Sequence, residues 1–295
     1  MKVLITGAKG LVGNALHEHC AASGDEVLAY DHLALDITSA AAVVQCIRGA
    51  RPDVVINCAA WTDVDGCETD PEKAYAVNAL GPENLARASR DVEAGFLTIS
   101  TDYVFDGTKG APYTQNDTPH PISIYGEAKL DGERRAQAEY ARTVIVRTGF
   151  IFGLGGRNFL SRVVDLARGG QSVFAISDAT GTPTYARDLA SRLRELAVLN
   201  AAGIFHVVNA GDGATYEQFS RVALELAGLD DAILKVVSTA SLKRPAPRPA
   251  DSRLKCLSSA ELGLAELPRW EDGLRRFIEE LGTTEHTGSL ARVTN

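Results

Sequence analysis

Residues 2–13 constrain this chain more than any other stretch. Lys2-Val3-Leu4-Ile5-Thr6 is a short apolar, β-branched run, followed at once by Gly7-Ala8-Lys9-Gly10-Leu11-Val12-Gly13 and a helical segment, Asn14 to Ala22. In a strand, glycine turn and helix the glycines serve a tight turn, close approach of a pyrophosphate to backbone, and close packing of helix on strand. The helix start adds free N–H groups and a positive dipole end. Gly7, Lys9, Gly10, Leu11, Val12 and Gly13 are therefore read as a dinucleotide-binding turn. The alternative is a plain βα turn, which the flanking strand and helix argue against.

The second strand, Glu26 to Tyr30, ends at Asp31, where a ribose-binding carboxylate is expected. An acid there accepts from the adenosine 2′-OH and repels a 2′-phosphate. No Arg is near, so NADH is favoured over NADPH. Asp36 and Ile37 follow; Asp36 is read equally as an adenine contact or, with Thr38, as a cap for a helix over 39–48. The third strand, Pro52 to Asn57, runs into Cys58, Ala59, Ala60 and Thr62, residues small enough for a flat cofactor to lie against backbone. Asn78, inside a long helical stretch from Pro71 to Arg90, is placed on the cofactor side. Strands and helices alternate up to residue 147, which predicts an α/β fold with a Rossmann-like, doubly wound parallel sheet.

A fourth strand, Phe96 to Ile99, leads into Ser100-Thr101-Asp102-Tyr103-Val104-Phe105-Asp106-Gly107, and a Pro- and Gly-containing loop then reaches Tyr125-Gly126-Glu127-Ala128-Lys129. A tyrosine and a lysine four apart on a helix share one face. Thr101 stands at a strand end, where open α/β sheets keep their ligand crevice. The three side chains together supply a proton donor, a cation to tune it, and a hydrogen bond for a carbonyl oxygen.

A formal charge of −8 argues against a nucleic-acid surface and suits no anionic membrane. Five scattered cysteines without a CxxC pair are the usage of a reducing compartment. The histidines show no zinc spacing; His17, His19 and Cys20 read as solvated side chains of a surface helix. Neither a signal peptide nor a membrane span is expected, and the cytoplasm is the expected location.

The runs TGAKGLVG, NCAAWTDVDGCE, ISTDYVFDG, YGEAK, VIVRTGFIFG, DATGTPT and RPADSRL cover nearly the whole chain. Together they resemble the extended short-chain dehydrogenase/reductases, most closely the dTDP-4-dehydrorhamnose reductases. The resemblance implies hydride transfer from NADH or NADPH to the C4 keto carbon of a dTDP-linked deoxysugar. It implies Tyr125 as general acid and Lys129 as the group that lowers its pKa and holds the nicotinamide ribose, with Thr101 donating to the carbonyl. Asp102, Val104, Phe105, Phe150, Asn158 and Arg253 are placed at the nucleotide-sugar, with a surface charge as the equal reading of Arg253. Lys243 to Pro249 is read as a basic loop over the diphosphate. The acid pair of the dehydratases and the extra cysteine of the epimerase-reductases are absent after Thr101, which leaves simple reduction.

Two positions depart from that pattern. Gly149-Phe150 stands where the family usually has Ser-Trp, which leaves room for another dTDP-4-keto-deoxysugar as substrate. Ala15 and Arg187 replace glutamates that hold a magnesium ion between subunits in some members, so no metal site is expected, and the chain is expected to be a monomer or a weak homodimer. A non-catalytic role, like that of the β subunit of methionine adenosyltransferase, is the reading from another class; Thr101, Tyr125 and Lys129 argue against it. The expected layout is a dinucleotide domain over 1–155, with segments near 185–210 packing back on it. A smaller substrate-binding domain is expected over 156–281, ending in a helix from Trp270 to Leu281, and 282–295 as a loose tail.

Overall fold

A computed structural model describes the backbone of residues 1–290 and the side chains of residues 1–283. In it β1 (Lys2–Thr6) lies between β2 (Glu26–Tyr30) and β3 (Val54–Asn57), parallel to both. β4 (Gly95–Thr101) and β5 (Thr143–Thr148) extend the sheet beyond β3 in the same sense. Parallel neighbours need crossovers, which helices supply: α1 (Leu11–Ala22), α2 (Ala40–Ala50), then α3 (Val64–Thr69), α4 (Pro71–Tyr75) and α5 (Gly81–Asp91), and finally α6 (Ile124–Glu139). Val3 and Ile5 join a core with Leu16 of α1, whereas Leu4 joins another with Val43, Ile47 and Leu85 on the opposite face. The middle of β1, Val3 to Ile5, is apolar on both faces because helices cover both sides of the sheet.

In the second half come β6 (Ile151–Phe152), α7 (Phe159–Arg168), β7 (Val173–Ile176), β8 (Thr180–Gly181), β9 (Thr184–Tyr185) and α8 (Ala186–Val198). They are followed by β10 (Gly203–His206), β11 (Ala214–Thr215), α9 (Tyr216–Leu226), β12 (Leu234–Val237), α10 (Ser258–Glu261) and α11 (Trp270–Leu290). Short two-stranded sheets join β6 to β9, β7 to β12 and β8 to β11. The chain then returns to the large sheet: α8 lies on α1 and β10 pairs with β5, giving the order β10-β5-β4-β3-β1-β2. A third core, in the second half, gathers Phe152, Tyr185, Phe219, Trp270 and Phe277. No described helix is long and apolar enough to cross a membrane.

Two stretches differ from the sequence expectation. Pro71 to Arg90 is helical but contains a π turn at Ala76–Leu80. Pro82 brings no N–H to the carbonyls behind it, which favours the widening. The last helix does not stop at Leu281 but continues to Leu290. The remainder of the expected tail, residues 291–295, lies outside the described residues.

Candidate active site

The strand order reverses around β1 and β3, the place where such sheets keep their ligand crevice. A cleft of about 550 Å³ opens there. Gly10, Leu11 and Val12 line it at the start of α1, and Cys58, Ala59, Ala60 and Thr62 line it after β3. Gly7 and Gly13 build the turn from behind. Gly7 has φ +66°, and a Cβ on it would stand 2.6 Å from the Ala59 nitrogen. A Cβ on Gly13 would run into the Gly7 carbonyl. Thr148 Oγ1 at the end of β5 is buried on the cleft wall with no hydrogen-bond partner among the described residues. A close-packed glycine turn, a wall of small residues and a spare hydroxyl fit a dinucleotide.

Thr101, Tyr125 and Lys129 all line this cleft. Ser123 caps α6 by accepting from the Gly126 N–H at 3.2 Å, which sets Tyr125 and Lys129 in the first turns. Burial pushes the Tyr125 phenol up, and the Thr101 hydroxyl beside it partly offsets this. The lowering of the phenol by Lys129, expected from the sequence, is not a property of the protein alone. The Lys129 ammonium instead donates to the Ile99 carbonyl at 2.6 Å, and burial brings its pKa down to about 8. Glu133, one turn on, opposes that shift and is itself gripped by Arg147 and Ser100.

Asp102 also faces the cleft. Burial raises its carboxyl to about 6, against hydrogen bonds from Ser252 and Thr101. Gly149 leaves space for it, since a Cβ there would stand 2.5 Å from a carboxylate oxygen. Phe150 takes φ +48° and lays its ring against Tyr216, with centroids 4.5 Å apart, in room left by Gly181. Asn158 lines the cleft while capping α7, accepting from the Ser161 N–H at 3.0 Å and donating to the Ile151 carbonyl at 2.9 Å.

Several residues expected at the ligands are buried or have partners within the protein. Val104 and Phe105 are fully buried in a core with Tyr113, Leu130 and Leu254, because the turn after Thr101 rolls them under the loop. Arg253 is occupied by Asp251, with its Nη2 at 2.6 Å from the carboxylate; Arg244 and Arg248, from the basic loop, line the cleft, where Arg248 is itself paired with Asp65 at 2.8 Å. Asp36 accepts from the Thr38 N–H and hydroxyl at 2.9 and 2.7 Å, Ser39 caps α2, and Ile37 is buried. Asn78 is 1% exposed and holds both the N–H and the carbonyl of Trp61, so it shapes the wall from behind. Asp31 accepts from the Leu33 and Ala34 N–H groups and forms an ion pair with Lys9. The cation near Asp31 is thus the lysine of the glycine turn, brought close by folding. Ser252 and Arg147 stood within the quoted runs RPADSRL and VIVRTGFIFG but were given no role, and Glu133, Phe174 and Tyr216 carried no local signal that set them apart. Arg187 pairs with Glu18 and Glu280.

Residues 1–283 match the family model described as RmlD substrate binding domain. The dTDP-4-dehydrorhamnose reductase of Mycolicibacterium smegmatis is 39% identical over 280 residues, covering 94% of this chain and 85% of that protein. A Streptomyces antibioticus protein described as a probable dTDP-4,6-dihydroxy-2-methyloxan-3-one 4-ketoreductase is 35% identical over 290 residues, 97% of each. The crystal structure of dTDP-4-dehydrorhamnose reductase from Bacillus anthracis in complex with NADP superimposes with a TM-score of 0.91 at 34% identity, covering 95% of this chain and all of that one. With a matching model over nearly its full length and the fold to go with it, the chain belongs to the RmlD family, that of the dTDP-4-dehydrorhamnose reductases.

Proposed function

We propose that this protein reduces the C4 keto group of dTDP-4-dehydro-L-rhamnose to give dTDP-L-rhamnose. The observation that carries this reading is the convergence of Thr101, Tyr125 and Lys129 on the cleft that also receives the glycine turn. A bound reduced nicotinamide would supply the hydride. Tyr125 delivers the proton to the oxygen as charge gathers there; its buried phenol holds that proton until a neighbouring negative charge calls for it. Lys129 keeps a positive charge beneath the site, and Thr101 offers a hydroxyl to the carbonyl. Arg244 and Arg248 meet the diphosphate. Phe150 and Tyr216 present ring faces to the sugar.

Either NADH or NADPH can serve. Asp31 suits a ribose diol, but Lys9, with 81% of its side chain exposed, can leave Asp31 for a 2′-phosphate. Five free thiols suit a reducing cytoplasm, where we place the reaction.

The test is oxidation of both cofactors with enzymatically prepared dTDP-4-dehydro-L-rhamnose. Rapid turnover by the wild type, with a loss of roughly 10²–10⁴-fold in Tyr125→Phe, supports both reaction and acid. A second reading, another dTDP-4-keto-deoxysugar, is favoured by Gly149-Phe150, which gives the sugar wall a different shape. Faster turnover of such a sugar would select it.

A further inference from the structure

The Asp102 carboxylate is held from two sides. Ser252 Oγ donates to Oδ2 at 2.5 Å, and Thr101 Oγ1 donates to Oδ1 at 3.1 Å. Thr101 Oγ1 in turn accepts from the Tyr103 N–H at 3.1 Å. Thr101, Asp102 and Ser252 are 5%, 3% and 1% exposed, so water cannot replace these partners freely. Ser252 belongs to a segment that bonds across to β8, where its N–H meets the Thr180 carbonyl at 2.9 Å. Arg248, on the cleft wall, is carried by the same segment.

A threonine hydroxyl has one proton to give. Facing an ionised Asp102, Thr101 must spend it on the carboxylate, yet the substrate carbonyl needs that same proton. The two uses compete. A carboxylate already satisfied by a second strong donor pulls less on the first. We propose that Ser252 is a positioning residue, which satisfies Asp102 and so releases the Thr101 proton to the substrate carbonyl. The proposal rests on the reductase reading above.

The titratable groups facing Asp102 are Tyr103 beyond β4, Tyr125 on α6 and Tyr216 on α9, with Arg248 close to Tyr103 and Tyr216. Burial raises all three phenols, and the guanidinium stays charged. On the acid side the group that titrates here is therefore Asp102, raised to about 6. Loss of the Ser252 donor raises it further.

The experiment compares wild type, Ser252→Ala and Ser252→Thr in the full chain. It measures kcat and KM for the keto sugar across pH, Kd for NADPH by fluorescence, and the Asp102 carboxyl titration by assigned ¹³C NMR. In Ser252→Ala, kcat should fall on the order of tenfold to a hundredfold, as for a lost hydrogen bond to a charged group, with KM and Kd changed less than about threefold. The Asp102 titration should move to higher pH, and the kcat loss should shrink below it, where the protonated carboxyl no longer claims the Thr101 proton. Ser252→Thr should recover most of kcat, and in an Asp102→Asn background the Ser252→Ala loss should shrink. An unmoved Asp102 titration, a Ser252→Ala loss that persists in full below it, or a loss undiminished in Asp102→Asn would overturn the proposal. If Ser252→Ala does not fold, Ser252→Cys, with its weaker donor, should show the same upward shift of the Asp102 titration at smaller amplitude. A wild type that reduces no keto sugar would sink the reductase reading instead, and the Asp102 titration still reads the Ser252 bond.

Discussion

Arg147 on β5 holds Glu133 on α6 with a fork of hydrogen bonds, Nε to one carboxylate oxygen at 2.9 Å and Nη2 to the other at 2.6 Å. Both side chains are almost fully buried, at 2% and 3%, and Ser100 donates to the same carboxylate at 2.5 Å. The pair ties the sheet to the helix that carries Tyr125 and Lys129.

Removing one partner should leave a buried charge alone. Arg147→Met is expected to lower stability by about 3–5 kcal/mol, read by urea unfolding. Arg147→Met with Glu133→Leu should recover much of that loss. A single mutant with wild-type stability would count against the pair as a stabilising tie.

Lys129 is brought down to about 8 by burial, so it gives up its proton well below the ordinary lysine range. The sign for folding follows. Between the folded value and the unfolded value of 10.5 the unfolded chain binds more protons, so this group makes stability rise with pH through that window. For the proposed catalysis the direction is opposite, because that reading uses the ammonium form. The alkaline limb of kcat/KM should lie near about 8 and move upward in Lys129→Arg, whose guanidinium keeps its charge to above roughly 12. A limb at the same pH in the variant would assign it to another group.

If Asp31 meets the adenosine ribose as proposed, the Lys9–Asp31 ion pair sets two side chains against each other in cofactor choice. Asp31→Ala should raise the KM for NADH more than that for NADPH. Lys9→Ala should do the reverse, by roughly two- to fivefold, the scale of an exposed ion pair. Equal effects of both substitutions on the two cofactors would remove these side chains from the ribose contact.

Gly13 packs against the backbone of Gly7 and Ala8, and a Cβ on it would stand 2.8 Å from the Ala8 Cα. Backbone on both sides cannot yield cheaply. Gly13→Ala should weaken NADPH binding by more than about tenfold, since the phosphates meet the backbone at this turn. Titration of cofactor fluorescence measures it.

Phe105 stacks on Tyr113 at 4.2 Å and lies under Arg147, with 0% of its surface exposed. Phe105→Ala should cost about 3–5 kcal/mol of stability. The KM of the enzyme that remains folded should hardly change. A large KM effect with unchanged stability would restore Phe105 to the substrate contacts expected from the sequence.

Much of the site was legible because its signals are local. The glycine turn declares itself within residues 7–13 by its backbone demands, and Tyr125 and Lys129 by helical spacing. The parallel sheet was legible from apolar runs separated by helical segments. Asp36 shows the limit of such reading, since its carboxylate serves equally as a loop partner or a ligand contact, and folding gave it to Thr38.

The sequence by itself determined the α/β order of the elements, the glycine turn, and the placing of Tyr125 and Lys129 on one helix face. Only the tertiary structure decided that Arg248 and not Arg253 faces the cleft, that Lys9 sits on Asp31, and that Ser252 reaches Asp102 across 150 residues of chain. Backbone preference and hydrophobic period act between residues a few positions apart, so they can be read along the chain. Hydrogen bonds and ion pairs between distant segments depend on how the separate cores and the basic loop pack together, and no single stretch of sequence carries that information.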